Sequence, residues 1–229
     1  MTAFFYFCNM KIQKKHWVLS TLFILPLVAY MFFASGVNNF AKLDTLSEDV
    51  LTNQTYNTVF KDSLITFEDK ITILSFLGND VKTKKAFAFN LKEKIYDRYK
   101  EFEDLQFISI VLPNQNEDIK DFIETLNSTS EADKWFFVEL NKEKLIQLFK
   151  SLNTDVELDE FLSSNQIFII DKNRNLRGRL EDEDGNKKYA YDMSSVAELS
   201  DEMNDDVKVI LAEYRLALKK YNKPEQRKP

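Results

Sequence analysis

Cys8 and His16 are the only Cys and His in the sequence, and both precede the long apolar stretch that begins at Trp17. No other side chain here is a thiol or an imidazole. The thiolate is the attacking group in disulfide exchange, and Cys and His are the usual ligands of copper and zinc. The chain after the stretch therefore lacks the groups for thiol exchange, for zinc hydrolysis and for a Ser or Cys triad with a His base. A single Cys also excludes an internal disulfide. Asp and Glu total 37, yet no spacing singles out a pair for acid–base work.

Lys82, Lys84 and Lys85 lie beside the expected start of a helix. Free amides at a helix N-terminus attract anions, while cations there oppose the macrodipole. The trio is a candidate contact for an anion or an acidic partner, and its plainer reading is a solvated surface. Glu181-Asp182-Glu183-Asp184-Gly185 is similar to part of a calcium loop. With Gly185 in sixth place, Leu180 stands first and Tyr191 twelfth, where carboxylates are required. A hairpin with a polar tip fits better. Asn53-Gln54-Thr55 and Asn127-Ser128-Thr129 are glycosylation sequons, relevant only in a eukaryotic secretory route. Trp135-Phe136-Phe137 fits a core strand better than a binding platform.

The elements that position these residues follow from the apolar pattern. Trp17–Val37 carries no charge, and at about 1.5 Å per residue it is long enough to cross roughly 30 Å of hydrocarbon. Lys11, Lys14 and Lys15 precede it, so the positive-inside rule places residues 1–16 in the cytoplasm and the rest outside it. We read 17–37 as a single uncleaved anchor. A cleaved signal peptide with a cut at Ala34-Ser35-Gly36 is the alternative and would leave a secreted protein. Met10 would open a cleaner leader than Met1. Residues 38–48 are expected as a polar linker, 49–221 as the folded domain and 222–229 as a loose tail. The net charge of -6 gives no basis for nucleic-acid binding.

Within the domain, Val50-Leu51 and Thr58-Val59-Phe60 flank a turn-rich stretch and predict a hairpin. Buried-strand runs occur at 70–76, 105–112, 135–140 and 166–170, and a hairpin strand at 176–180. Helical stripes occupy 83–102, 116–126, 142–152 and 194–221. Strands that alternate with helices imply parallel neighbours with right-handed crossovers, and the hairpin adds an antiparallel finish. The expected fold class is α/β, a thioredoxin-like three-layer sandwich with a mixed sheet and helices on both faces, behind the N-terminal transmembrane helix.

QIFIIDKNRNLRG at 166–178 resembles the strand–turn–strand signature F-L-I-D-x-x-G-x-I-R-G of the SCO/SenC-type copper-assembly proteins. ITILSF, a helix with Asn90-Leu91, FISIVLPNQNED and VLTNQTYNTV resemble further parts of that family, over roughly residues 50–180. The resemblance implies a Cys pair and a His that bind copper. Here those positions fall near Asp80, Lys84 and Ser163, and Ser163-Ser164-Asn165 stands where many relatives have a cis-proline. No ligand is retained, so neither copper delivery nor thiol reduction is carried over. The expectation is a non-enzymatic domain with no cofactor, bound to the membrane by its helix and to an unknown protein partner of the cell envelope. The alternatives are oxidase assembly with ligands supplied by a partner, and an enzyme that uses carboxylates or backbone dipoles in loop 78–85.

Overall fold

A computed structural model describes residues 14–35, 42–50, 54–61, 63–182 and 185–221. The chain divides into two units, Met1–Phe40 and Ala41–Pro229. The first contains α1 (Lys14–Ser35), a 22-residue helix with Pro26 inside it. Its apolar side chains, Trp17, Phe23, Leu25 and Phe32 among them, are exposed. Of the run 17–37, side chains are described for 17–32. Among the described residues, no helix is long and apolar enough to cross a membrane.

The second unit runs in the order β1 (Asp44–Ser47), β2 (Tyr56–Asn57), β3 (Leu64–Ile65), β4 (Ile71–Gly78) and α2 (Val81–Leu91). The α2 helix passes through a π-helical turn (Lys92–Tyr96) into α3 (Asp97–Tyr99). Then come β5 (Leu105–Val111), α4 (Asn116–Leu126), β6 (Trp135–Glu139), α5 (Lys142–Ser151), β7 (Gln166–Ile170), β8 (Leu176–Gly178) and β9 (Tyr191–Asp192). The last helical stretch joins α6 (Val196–Glu198), a second π-helical turn (Leu199–Met203) and α7 (Asn204–Tyr221).

The sheet is mixed, in the order β1-β8-β7-β4-β5-β6, with β9 also paired to β7. β4, β5 and β6 are parallel, and β7 runs antiparallel to β4 and β8. Side chains alternate across a strand, so each apolar run feeds two cores. Ile71, Ile73 and Leu77 of β4 face α2, α3, α4 and α7, together with Phe107, Ile167 and Ile169. Leu74 and Phe76 face the other side, with Ile108, Ile110, Phe168, the α5 residues Leu145 and Leu148, and Leu152 at the C-cap of α5. Helices therefore cover both faces, as the fold class anticipates. Polar atoms left inside the sheet are paired: Ser75 Oγ lies 2.8 Å from Ser109 Oγ, and Trp135 Nε1 donates to Ser109 Oγ at 2.9 Å.

Three local differences from the sequence reading have simple causes. Residues 44–47, expected within the linker, are strand β1. Its side chains carry no apolar pattern, and it is held by antiparallel backbone pairing with β8. The hairpin expected from 50–60 instead pairs Tyr56–Asn57 with Leu64–Ile65, while Val59 N donates to Phe137 O and ties this region to β6. β9 has only two residues, too few to show an alternation. The tail read at 222–229 lies outside the described residues.

Candidate functional site

The C-terminal end of β4 and the segment 159–165 meet because Gly78 allows it. Gly78 has φ +52, and a Cβ there would lie 2.3 Å from the carbonyl oxygens of both Phe161 and Leu162. Only glycine has neither the side chain to clash nor the left-handed penalty. The contact is fastened by Asn79 N donating to Phe161 O at 2.8 Å, and Gln115 Nε2 donates to Gly78 O at 2.6 Å. Leu162 itself sits at φ +56, a conformation costly for a branched side chain.

This close approach assembles a polar cluster at the start of α2. Asp80 stands at the N-cap but makes no side-chain cap hydrogen bond. Its carboxylate lies 3.9 Å from Lys84 Nζ, one turn on. Lys84 is buried, and its ammonium donates to Asn165 Oδ1 at 2.6 Å. Asp159 completes the cluster, 3.8 Å from the same ammonium. Ser163 donates to Asp159 from both Oγ, at 2.7 Å, and its backbone amide, at 2.8 Å, and Phe161 N adds a third bond at 2.9 Å. Burial opposes ionisation of Asp159, but the hydrogen bonds from Ser163 and Phe161 and the Lys84 charge outweigh it. They hold its carboxyl below the ordinary aspartate range.

The three lysines singled out from the sequence do not converge. Lys84 turns inward, Lys85 pairs with Asp121 of α4, and Lys82 is exposed. The positions that the family resemblance placed near Asp80, Lys84 and Ser163 do come together. Asp159, and the pairing of Asn165 with Lys84, lie outside that reading, because both residues are remote in sequence from α2. The calcium-like segment is a hairpin, with Arg179 paired to Lys188 and Asp182 bonded to Arg179; residues 183–184 lie outside the description.

The turn after β7 has a different composition. Asp171 accepts from the amides of Asn173 and Asn175 at 2.9 Å and from Arg177 Nη1 at 3.0 Å. Arg177 also donates to Leu43 O and, at 2.8 Å, to Glu213. Asp171 and Arg177 are both buried. Gly178 is required by space: a Cβ there would lie 2.2 Å from Lys188 O. Arg174, at φ +65, occupies the position of the signature's first glycine. A third buried cation, Lys92 on the first π-helical turn, is met by Asp97, Thr129 and Ser130 at about 2.9 Å each.

Chemically, the α2 cluster is a fixed ammonium held by oxygen atoms. Its charge repels a metal cation from the oxygens around it. Among the described residues no group of three or more His, Cys, Asp or Glu side chains is placed to hold a metal ion.

No family model matches the sequence, and no curated protein matches it. Solved structures do match. BsSco, described as a member of the Sco family of cytochrome c oxidase assembly proteins with a disulfide switch, superposes with a TM-score of 0.52 at 16% identity, over 75% of this chain and 98% of that one. The soluble domain of a Sco protein from Bacillus subtilis gives 0.45 at 15% identity, over 75% and 95%. The thioredoxin domain of a thiol-disulfide oxidoreductase from Bacteroides vulgatus gives 0.42 at 18% identity, over 74% and 99%. At these identities the match to BsSco establishes the fold alone. The chain has a mixed α/β thioredoxin-like fold, similar to that of BsSco.

Proposed function

We propose that this chain is a membrane-anchored, exported thioredoxin-like domain that acts by binding, as an accessory protein of the cell envelope, and does so without thiol or metal chemistry. One observation carries the reading. Where the resemblance implies a Cys pair, the chain has Asp80 and Lys84, and the Lys84 ammonium is tied down by Asn165, Asp80 and Asp159. The anchor rests on the uncharged run 17–37 and its basic N-terminal flank.

The test uses the full-length chain in detergent, with Cys8→Ser and His16→Ala removing the two soft groups before the anchor. Copper uptake and reduction of a disulfide-bonded substrate are measured together. No stoichiometric copper and no reduction are expected. One copper per chain at sub-micromolar affinity, or catalytic reduction, overturns the reading. A reporter fused after Pro229 is expected to be active only outside the cytoplasm, and activity inside reverses the topology.

The Sco-type fold and the Asp171–Arg177 turn favour a second reading, in which the chain helps to assemble a respiratory oxidase and a partner supplies the metal ligands. Deleting the gene would then lower the amount of assembled oxidase. An unchanged amount counts against it.

A further inference from the structure

A small cavity opens between β2 and α5. Its volume is about 150 Å3. A protein cavity of roughly that size takes up a benzene-sized guest. The buried side chains of Tyr56, Leu140 and Leu148 form its apolar floor, and the Tyr56 ring is set edge-on against Phe67 with centroids 5.5 Å apart. Such a floor favours a ligand with a compact apolar body and disfavours one that must shed bound water.

The mouth is polar and carries charge of one sign. Gln54, Lys144 and Gln147 line it, and all three are exposed. Lys144 and Gln147 are three residues apart on α5 and so share a face of the helix. Among the described residues, none of these three side chains has a hydrogen bond or an ion pair. Ser151 also lines the cavity, but its hydroxyl donates to Leu148 O at 2.7 Å. The free donors are therefore one ammonium and two carboxamides. No carboxylate lines the cavity: Glu139 and Glu143, next in sequence to Leu140 and Lys144, are not part of its wall.

We infer that the cavity binds a small monocarboxylate whose apolar body is about the size of a benzene ring. The ring lies on the floor of Tyr56, Leu140 and Leu148, and the carboxylate accepts from the Lys144 ammonium and the amides of Gln54 and Gln147. One cation matches one negative charge, and a hydrogen bond between charged groups is stronger than one between neutral groups. Phosphate has no apolar body for the floor and brings further charge that no second cation meets. A neutral ring forgoes the charged bond. The inference goes beyond the binding role proposed above, which concerns a protein partner. No residue of the cavity belongs to the α2 cluster, so the two readings fail separately.

The test titrates the full-length chain in detergent micelles by calorimetry, with empty micelles as blank. The probes are benzoate, benzamide, acetate and inorganic phosphate. Benzoate is expected to bind with a Kd of about 0.1–1 mM, and the other three at least about tenfold more weakly. Lys144→Met keeps the stem and removes the ammonium, and is expected to weaken benzoate about fivefold to tenfold. Gln147→Glu keeps the side-chain shape but sets a carboxylate beside that of the ligand, and is expected to weaken benzoate more than about tenfold. Both positions are exposed on α5, so the unfolding midpoint is expected to hold in each variant. Absence of saturable benzoate binding, benzamide bound as tightly as benzoate, or wild-type affinity in either variant overturns the proposal. Copper uptake or disulfide reduction by the same preparation would overturn the reading of the α2 cluster without bearing on the cavity.

Discussion

The turn after β7 and the junction before α2 both follow a core strand, and both set a buried cation beside a carboxylate. They differ in what holds them. At 171–178 the cation and carboxylate, Arg177 and Asp171, are both buried and backed by backbone amides and by Leu43 O. Near α2, Lys84 is buried, while the Asp159 side chain it faces is 40% exposed and is held mainly by its own loop. The first region sets geometry, since removing Arg177 strands the buried Asp171 charge. The second fills a space, and its parts are more nearly independent.

The largest effect expected from this contrast is at Arg177. Arg177→Ala leaves Asp171 without its counter-charge and is expected to cost about 3–5 kcal/mol, read as a lower urea midpoint. Lys84→Met keeps the length of the stem and removes the ammonium. Because Asp159 retains the bonds from Ser163 and Phe161 and is partly in water, about 1–2 kcal/mol is expected. If the two substitutions cost the same, the comparison fails.

The acid limb of stability sharpens it. Asp159 and Asp97 are held below the ordinary range by hydrogen bonds and a nearby lysine despite burial, and Asp104 chiefly by its hydrogen bond from Lys172. A folded value below the unfolded one, about 3.9, means the stabilisation is complete well above that pH and is lost as pH falls towards the folded values. The unfolding midpoint is therefore expected to drop below about pH 4. In Lys84→Met the Asp159 share of that drop shrinks.

Smaller changes follow at two half-buried positions. Arg174 holds φ +65 and pairs with the exposed Asp49. Arg174→Gly removes the left-handed penalty of about 1–2 kcal/mol but loosens the unfolded chain, so a net gain of about 0.5 kcal/mol is expected. Lys85→Met breaks a largely solvated pair with Asp121 and is expected to shift stability by less than about 0.5 kcal/mol. A large loss there would show that the lysines of α2 act together after all.

Legibility in the sequence follows the same division. Strands and helices that bury continuous apolar runs were readable: α4 and β7 fall at the positions expected, and the long helix 81–99 begins two residues early. β1 was not readable, because Asp44–Ser47 is defined by backbone pairing rather than by side-chain pattern. The site was half readable. The resemblance placed Asp80, Lys84 and Ser163, but periodicity carries no information about Asp159 or Asn165, which reach Lys84 only because Gly78 lets the two loops touch. Lys82 and Lys85 were grouped with Lys84 by proximity in sequence, although side chains one or two residues apart on a helix point in different directions.

Rebuilding the site tests most directly whether Lys84 fills the place of a ligand set. The full-length triple variant Asp80→Cys, Lys84→Cys, Ser163→His, on the Cys8→Ser and His16→Ala background, is titrated with copper beside the parent chain. The account predicts one tightly held copper per folded variant and none in the parent. Copper held by the parent, or a folded variant that takes up none, would contradict it.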